Sequence, residues 1–115
     1  MNNIAINELL LIKEYVRQVQ YQYNFEVTPS AKNRKTHDYM LKKALTRELL
    51  AGVILHLNKS DCFKPKERDK DPRYDKGWFY FFHKNYFGDN LYIKVMVPDD
   101  PGQMIIFSIH EEGLH

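Results

Sequence analysis

Apolar positions recur with a helical period along the first half of the chain and alternate along the second. From Asn2 to Tyr23, Leu9, Ile12, Val16 and Val19 are spaced by three, four and three residues, which sets them on one face of a helix. Glu14, Arg17 and Gln18 fall elsewhere, and the Asn2-Asn3 pair offers an N-cap. A second helix is predicted from Thr46 to Leu57. Thr46 can cap it, Glu48 lies in the first turn where the macrodipole favours an anion, and Leu50, Val53, Ile54 and Leu57 form a core-facing stripe. Gly52 within this helix costs up to about 1 kcal/mol against alanine, and either admits a neighbouring backbone or is there by chance. Between the helices, Phe25 to Thr28 reads as a short strand stopped by Pro29, Ser30 to Thr36 as a polar, basic loop, and Asp38 to Lys43 as one or two helical turns.

Asn58 to Lys76 is a long polar stretch containing Pro65 and Pro72, and it reads as a loop; loops of this length tend to be functional or mobile. The period then changes to two. Trp78 to Phe87, Leu91 to Val97 and Gln103 to His110 are predicted strands, joined by a tight turn at Gly88-Asp89 and a loop from Pro98 to Gly102. The expected architecture is α+β: two main helices packed on a three-stranded antiparallel β-meander, with Phe25 to Thr28 as an added short strand. A length of 115 residues fits one domain, residues 1–115, with one core.

Alternation assigns the two faces of the meander. Leu91, Ile93, Val95 and Val97 share one face with Ile105, Phe107 and Ile109, and the helices are expected to cover it. Tyr92, Lys94, Met96, Met104, Ile106, Ser108 and His110 point the other way. With the turns as assigned, Tyr92 stands opposite Ser108 and Asn85, and Lys94 opposite His83. His83, Asn85, Tyr92, Lys94, Ser108 and His110 are thus predicted to share one surface.

Hydrophobic residues make up 43% and charged residues 28%, a balance that argues against disorder. The single cysteine, Cys62, has no partner for a disulfide, no Cys/His spacing suggests zinc, and neither a metal nor another cofactor is expected. The longest apolar run, Leu9 to Ile12, is too short to span a bilayer, and the N-terminus lacks a signal-peptide pattern. The expectation is a cytoplasmic protein without a membrane partner. A net charge of +2 permits a nucleic-acid partner without demanding one. Five cations (Lys32, Arg34, Lys35, Lys42, Lys43) against Asp38 between Ala31 and Lys43 make either a phosphate-attracting run or a solvated surface segment.

The chemistry carried by the polar face is specific. Histidine exchanges a proton near neutral pH, lysine stabilises a pentavalent phosphate, and tyrosine stacks on a base or donates a hydrogen bond. RNA cleavage by the substrate's own 2′-hydroxyl needs a base, an acid and a charge stabiliser, and no metal. The competing reading is a sheet face that meets water, where polar residues belong. Trp78, Phe79 and Phe81 are either a stacking platform or core. His56, between Leu55 and Leu57, reads as structural or exposed, and Cys62 has no partner that would make it a nucleophile.

Several segments resemble one family. Val53 to Lys64 (Val-Ile-Leu-His-Leu-Asn-Lys-Ser-Asp-Cys-Phe-Lys), Trp78, Leu91-Tyr92-Ile93-Lys94 and Ile106-Phe107-Ser108-Ile109-His110-Glu111 are similar, in order and spacing, to the MqsR (motility quorum-sensing regulator) toxins. The resemblance runs from about Thr46 to Glu111. It implies a RelE-like fold, metal-independent cleavage of single-stranded mRNA, and a cognate antitoxin as partner. The family's active residues are a lysine after the helix, a glutamine just after the tryptophan, a tyrosine in the middle strand and a lysine in the last strand. The first corresponds to Lys64 and the third to Tyr92; the second position holds Phe79 and the fourth His110. The expected catalytic set is therefore Lys64, Tyr92 and His110, with Lys94, Ser108 and His83 on substrate. The alternative is a non-catalytic RNA- or protein-binding module on the same scaffold, for which the loss of the glutamine at Phe79 argues.

Overall fold

The computed structural model describes residues 3–113. The chain is α+β, with a mixed five-stranded sheet where three antiparallel strands were expected. Helix α1 (Ile6–Arg17) leads into β1 (Tyr21–Tyr23), a single turn α2 (Asn24–Val27), α3 (Arg34–Lys43) and α4 (Arg47–Gly52). Strands β2 (Cys62–Glu67), β3 (Gly77–Tyr86), β4 (Asp89–Pro98) and β5 (Ile105–Glu111) follow. The sheet order is β1-β5-β4-β3-β2, with β1 parallel to β5 and every other pair antiparallel. The predicted meander is its centre.

The flanking strands come from segments read otherwise. The first helix stops at Arg17, well short of Tyr23, because Val19 turns left-handed at φ 55°. Val19 N–H then donates to Val16 O and Gln20 N–H to Tyr15 O, the paired bonds of a Schellman stop. Tyr21 to Tyr23 is thereby released as a strand, and Phe25 to Thr28 is not one: Asn24 to Val27 forms a helical turn. Asn3, proposed as part of the N-cap, instead donates from its side chain to Cys62 O, and Ala5 holds the cap position. Asn2 lies outside the described residues.

Helix α3 begins at Arg34, so it takes in the last three residues of the expected basic loop, starts four residues before the turns predicted at Asp38 to Lys43 and ends with them. It ends on left-handed Ala44 (φ 55°), with Leu45 N–H donating to Met40 O. Thr46 caps α4 by accepting from Leu49 N–H at 3.1 Å, as predicted, but the α-helix lasts only to Gly52 and a 3-10 turn (Val53–His56) carries the rest. The stripe survives this change, since Leu50, Val53, Ile54 and Leu57 are all fully buried. A Cβ at Gly52 would meet nothing within 4 Å, so no backbone approach requires that glycine.

The core forms where this stripe and Leu9, Ile12 and Val16 of α1 meet Phe82, Leu91, Ile93, Val95, Ile105, Phe107 and Ile109 of the sheet. Val19, expected beside them, is largely exposed because the helix has already ended. Polar anchors fix the helices to the strands. Glu8 of α1 accepts from Tyr80 Oη and from Lys66 Nζ. Thr36 Oγ1 of α3 accepts from Ile109 N–H at 2.9 Å, and Tyr39 Oη donates to Asp89 at 2.8 Å.

Candidate functional site

The opposite face of the sheet carries the predicted site residues, and strand register decides how they meet. The first hairpin turns at Phe87-Gly88, not Gly88-Asp89: both residues have positive φ (54° and 79°), as a two-residue type I′ turn requires. His83 therefore stands opposite Tyr92, and Asn85 opposite Asn90. The second hairpin is displaced likewise, so that Tyr92 pairs with His110 and Lys94 with Ser108. The expected pairs of Lys94 with His83, Tyr92 with Asn85 and Tyr92 with Ser108 are thus each replaced. Both displacements are by two residues, and an even slip leaves every side chain on its face.

Lys64 reaches the same face through an irregular strand. The stretch from Asn58 to Lys76, expected as loop, contains β2, which pairs Cys62 with Phe82, Lys64 with Phe81 and Glu67 with Phe79. Between Cys62 and Lys64 an extra residue bulges, and Phe63 and Lys64 together oppose Phe81. Phe63 stacks on His83 with ring centroids 3.8 Å apart, and Lys64 Nζ lies 4.0 Å from the Phe81 ring centroid. Pro65, which lacks a backbone donor, is tolerated because β2 is an edge.

The face is ordered in rows across the strands. Phe79, Met96 and Ile106 form an apolar row, and Lys64, Phe81, Lys94 and Ser108 a cationic one. His83, Tyr92 and His110 make the third, with Tyr92 stacked on His110 at 5.3 Å and tilted against His83 at 6.2 Å. All six predicted site residues are therefore brought together on one surface. Trp78 is not part of it: the ring lies on the helix side under the cations of Lys66 and Arg68. Phe79 and Phe81 belong to the open face, and Lys94 Nζ sits 4.6 Å from the Phe79 ring centroid. Phe63 was hidden in a segment read as loop; the edge-strand proline beside it was the one available signal.

Electrostatics distinguish the groups. Burial between the aromatic rings pushes the Lys94 ammonium below the ordinary lysine range, with Asp69 and Glu67 opposing and the Lys64 charge adding to the fall. Burial also pushes the Tyr92 phenol up, against the pull of Lys64, so it is a proton donor at neutral pH. Lys64 is held by Glu67 at 2.9 Å, and His83 by Glu112 at 2.8 Å. His110 is only 8% exposed, and its Nδ1 lies 2.9 Å from Glu111 O. A carbonyl only accepts, so this bond is made with the proton on Nδ1.

Elsewhere the candidates resolve into structure. Arg34, Lys42 and Lys43 of the basic run are engaged by Asp38, Glu111 and Asp89. Cys62 is buried, its thiol pushed up by that burial, which makes it a poor nucleophile. Among the described residues no group of three or more His, Cys, Asp or Glu side chains is placed to hold a metal ion, and no helix is long and apolar enough to cross a membrane. No protein-family model matches this chain, and no curated protein matches it.

Proposed function

We propose that the protein is a metal-independent endoribonuclease that cleaves single-stranded mRNA, a toxin of the MqsR kind with a RelE-like fold, acting in the cytoplasm and held in check by a cognate antitoxin. The observation that carries this reading is the Tyr92–His110 stack at 5.3 Å, with Lys94 in the adjacent row and Lys64 beside it across Phe81. Stacking surfaces interleaved with lysines suit single-stranded RNA, whose unpaired bases lie on aromatic rings while cations follow the phosphates.

In the proposed reaction the His110 imidazole takes the proton of a 2′-hydroxyl, and that oxygen attacks the adjacent phosphorus. Lys94 and Lys64 offset the charge that develops on the phosphoryl oxygens. The bond to the 5′-oxygen breaks, Tyr92 supplies the proton that the leaving oxygen needs, and a 2′,3′-cyclic phosphate and a 5′-hydroxyl result. His83 and Ser108 hold neighbouring parts of the chain. The test is cleavage of a single-stranded RNA in the presence of EDTA. The parent is expected to yield cyclic-phosphate ends, with His110→Ala and Tyr92→Phe slower by about a hundredfold or more, as for loss of a general acid or base. Parent-like rates in both variants would remove these roles.

A second reading has an observation of its own. The low exposure of His110 and the aromatic Phe79 under Lys94 suit a face that binds RNA without cutting it. On that reading the parent protein binds the same RNA and releases no products, and expression in a host without the antitoxin is harmless.

A further inference from the structure

Beyond the row of Tyr92 the open face continues into a fourth row of different chemistry. Asn85 and Asn90 stand directly opposite one another, and Glu112 follows at the end of β5, its N–H donating to Asn90 O at 2.7 Å. With His83, Leu91, Asp61 and Lys84 these residues line a depression of about 370 Å³ at this end of the sheet. Asp61 and Lys84 are already engaged, since Lys84 Nζ and Asn58 N–H both donate to Asp61 Oδ2. The two amides are not. Among the described residues no group bonds to either side chain, and neither serves the turn, which Phe87 and Gly88 make with their own backbone. Asparagine is disfavoured in strands, and these two face each other exposed to water, so a ligand with complementary groups can displace that water and meet their donors and acceptors.

Resting on the RNA reading above, we infer that this row is a base-reading subsite for a nucleotide beside the scissile phosphate, and that it favours a base with an exocyclic amino group over uracil. Strand geometry places it about 7 Å from the Tyr92 row, one base away along the strands. Phe63, carried out on its bulge and stacked on His83, supplies an aromatic wall 6.1 Å from the Tyr92 ring. Glu112, whose Oε2 lies 2.8 Å from His83 Nε2, only accepts hydrogen bonds when ionised. A carboxylate accepts from an exocyclic amino group, as on cytosine or adenine, while the amides satisfy the adjacent ring nitrogen or carbonyl. Uracil turns a carbonyl toward the same place, and two acceptors then face each other.

The test is binding of fluorescent oligo(C), oligo(A) and oligo(U) single strands, read by anisotropy. The parent is expected to bind oligo(C) or oligo(A) about tenfold more tightly than oligo(U). Asn90→Ala should bring that ratio to about twofold or less by weakening oligo(C) and oligo(A), and Glu112→Gln, which can donate to a carbonyl, should do so while also strengthening oligo(U). Both positions are exposed, and an unaltered melting temperature confirms that each variant folds. Equal binding of all three strands by the parent, or variants that weaken all three alike, would overturn the subsite while leaving the RNA face intact. A parent that binds none of them would overturn both.

Discussion

Glu8 is the point at which α1 is fastened to the sheet, and its removal has a size that can be worked out. The carboxylate accepts from Tyr80 Oη and Lys66 Nζ through Oε2, and from Ala5 N–H through Oε1 at 2.9 Å. Tyr80 is 5% exposed, so Glu8→Ala strands a buried hydroxyl, at about 1–3 kcal/mol. The Lys66 ammonium is 37% exposed and finds water instead, which adds about 0–1 kcal/mol. Losing the bond to the helix N-terminus adds about 0.5–1 kcal/mol. The expected loss is about 1.5–5 kcal/mol, a large share of the stability of a small domain, and a fall in Tm of about 10 °C. Thermal and urea melts followed by far-UV circular dichroism measure it. A double-mutant cycle with Tyr80→Phe isolates the buried bond, with a coupling of about 1 kcal/mol or more expected. A Glu8→Ala protein within about 0.5 kcal/mol of the parent, or a cycle with no coupling, refutes the reasoning.

Three other outcomes follow from the same geometry. Burial alone would raise the Glu8 pKa, but hydrogen bonds from Lys66, Tyr80 and Ala5 overcome it and hold the carboxyl below its ordinary 4.5. Its contribution to stability is thus complete above that value and lost as pH falls through the lowered one, so acid titration of Tm should be shallower in Glu8→Gln than in the parent. Val19 holds a left-handed conformation that costs an L-residue about 1–2 kcal/mol, and its side chain is exposed; Val19→Gly should therefore stabilise the protein by up to about 1 kcal/mol in a urea melt, after the entropy cost of glycine. Lys94 is charged at neutral pH in a place where burial penalises charge, a cost present below its lowered pKa and fading as pH rises toward the ordinary value. Lys94→Met should raise Tm at neutral pH while weakening RNA binding, the opposition expected where stability is given up for a site.

What could be read from the sequence and what could not divide along physical lines. Burial stripes were legible: Leu50, Val53, Ile54 and Leu57 are all in the core, although half of their helix is a 3-10 turn, because a hydrophobic face survives a small change in winding. The hairpin reversals were legible to within a residue, but the helix stops at Val19 and Ala44 were not, because these left-handed positions carry no glycine, and Phe87 beside Gly88 shifts the first turn by one. Tyr21 to Tyr23 was read through as helix for that reason, and the first hairpin was displaced. Strand β2 was masked by its charges, its proline and its bulges, all of which suit an edge. The gathering of Lys64, Tyr92, Lys94, Ser108, His83 and His110 survived two register errors only because both were even. Phe63 lies on a bulge in a segment that reads as loop, and Glu112, next in the alternation of Ser108 and His110, lies just past the predicted strand end.

The sheet's two borders have a consequence for what can join it. On one side β1 supplies only three residues, and past its end the next β5 donor, Ile109 N–H, is already taken by Thr36. On the other, β2 lacks a donor at Pro65 and changes register twice within six residues. Among the described residues neither rim offers a long continuous ladder, which works against edge-to-edge polymerisation and against a partner zipped on as a sixth strand. A foreign chain is better received on the open face than at the edges, and there lysines and rings, not main-chain groups, greet it.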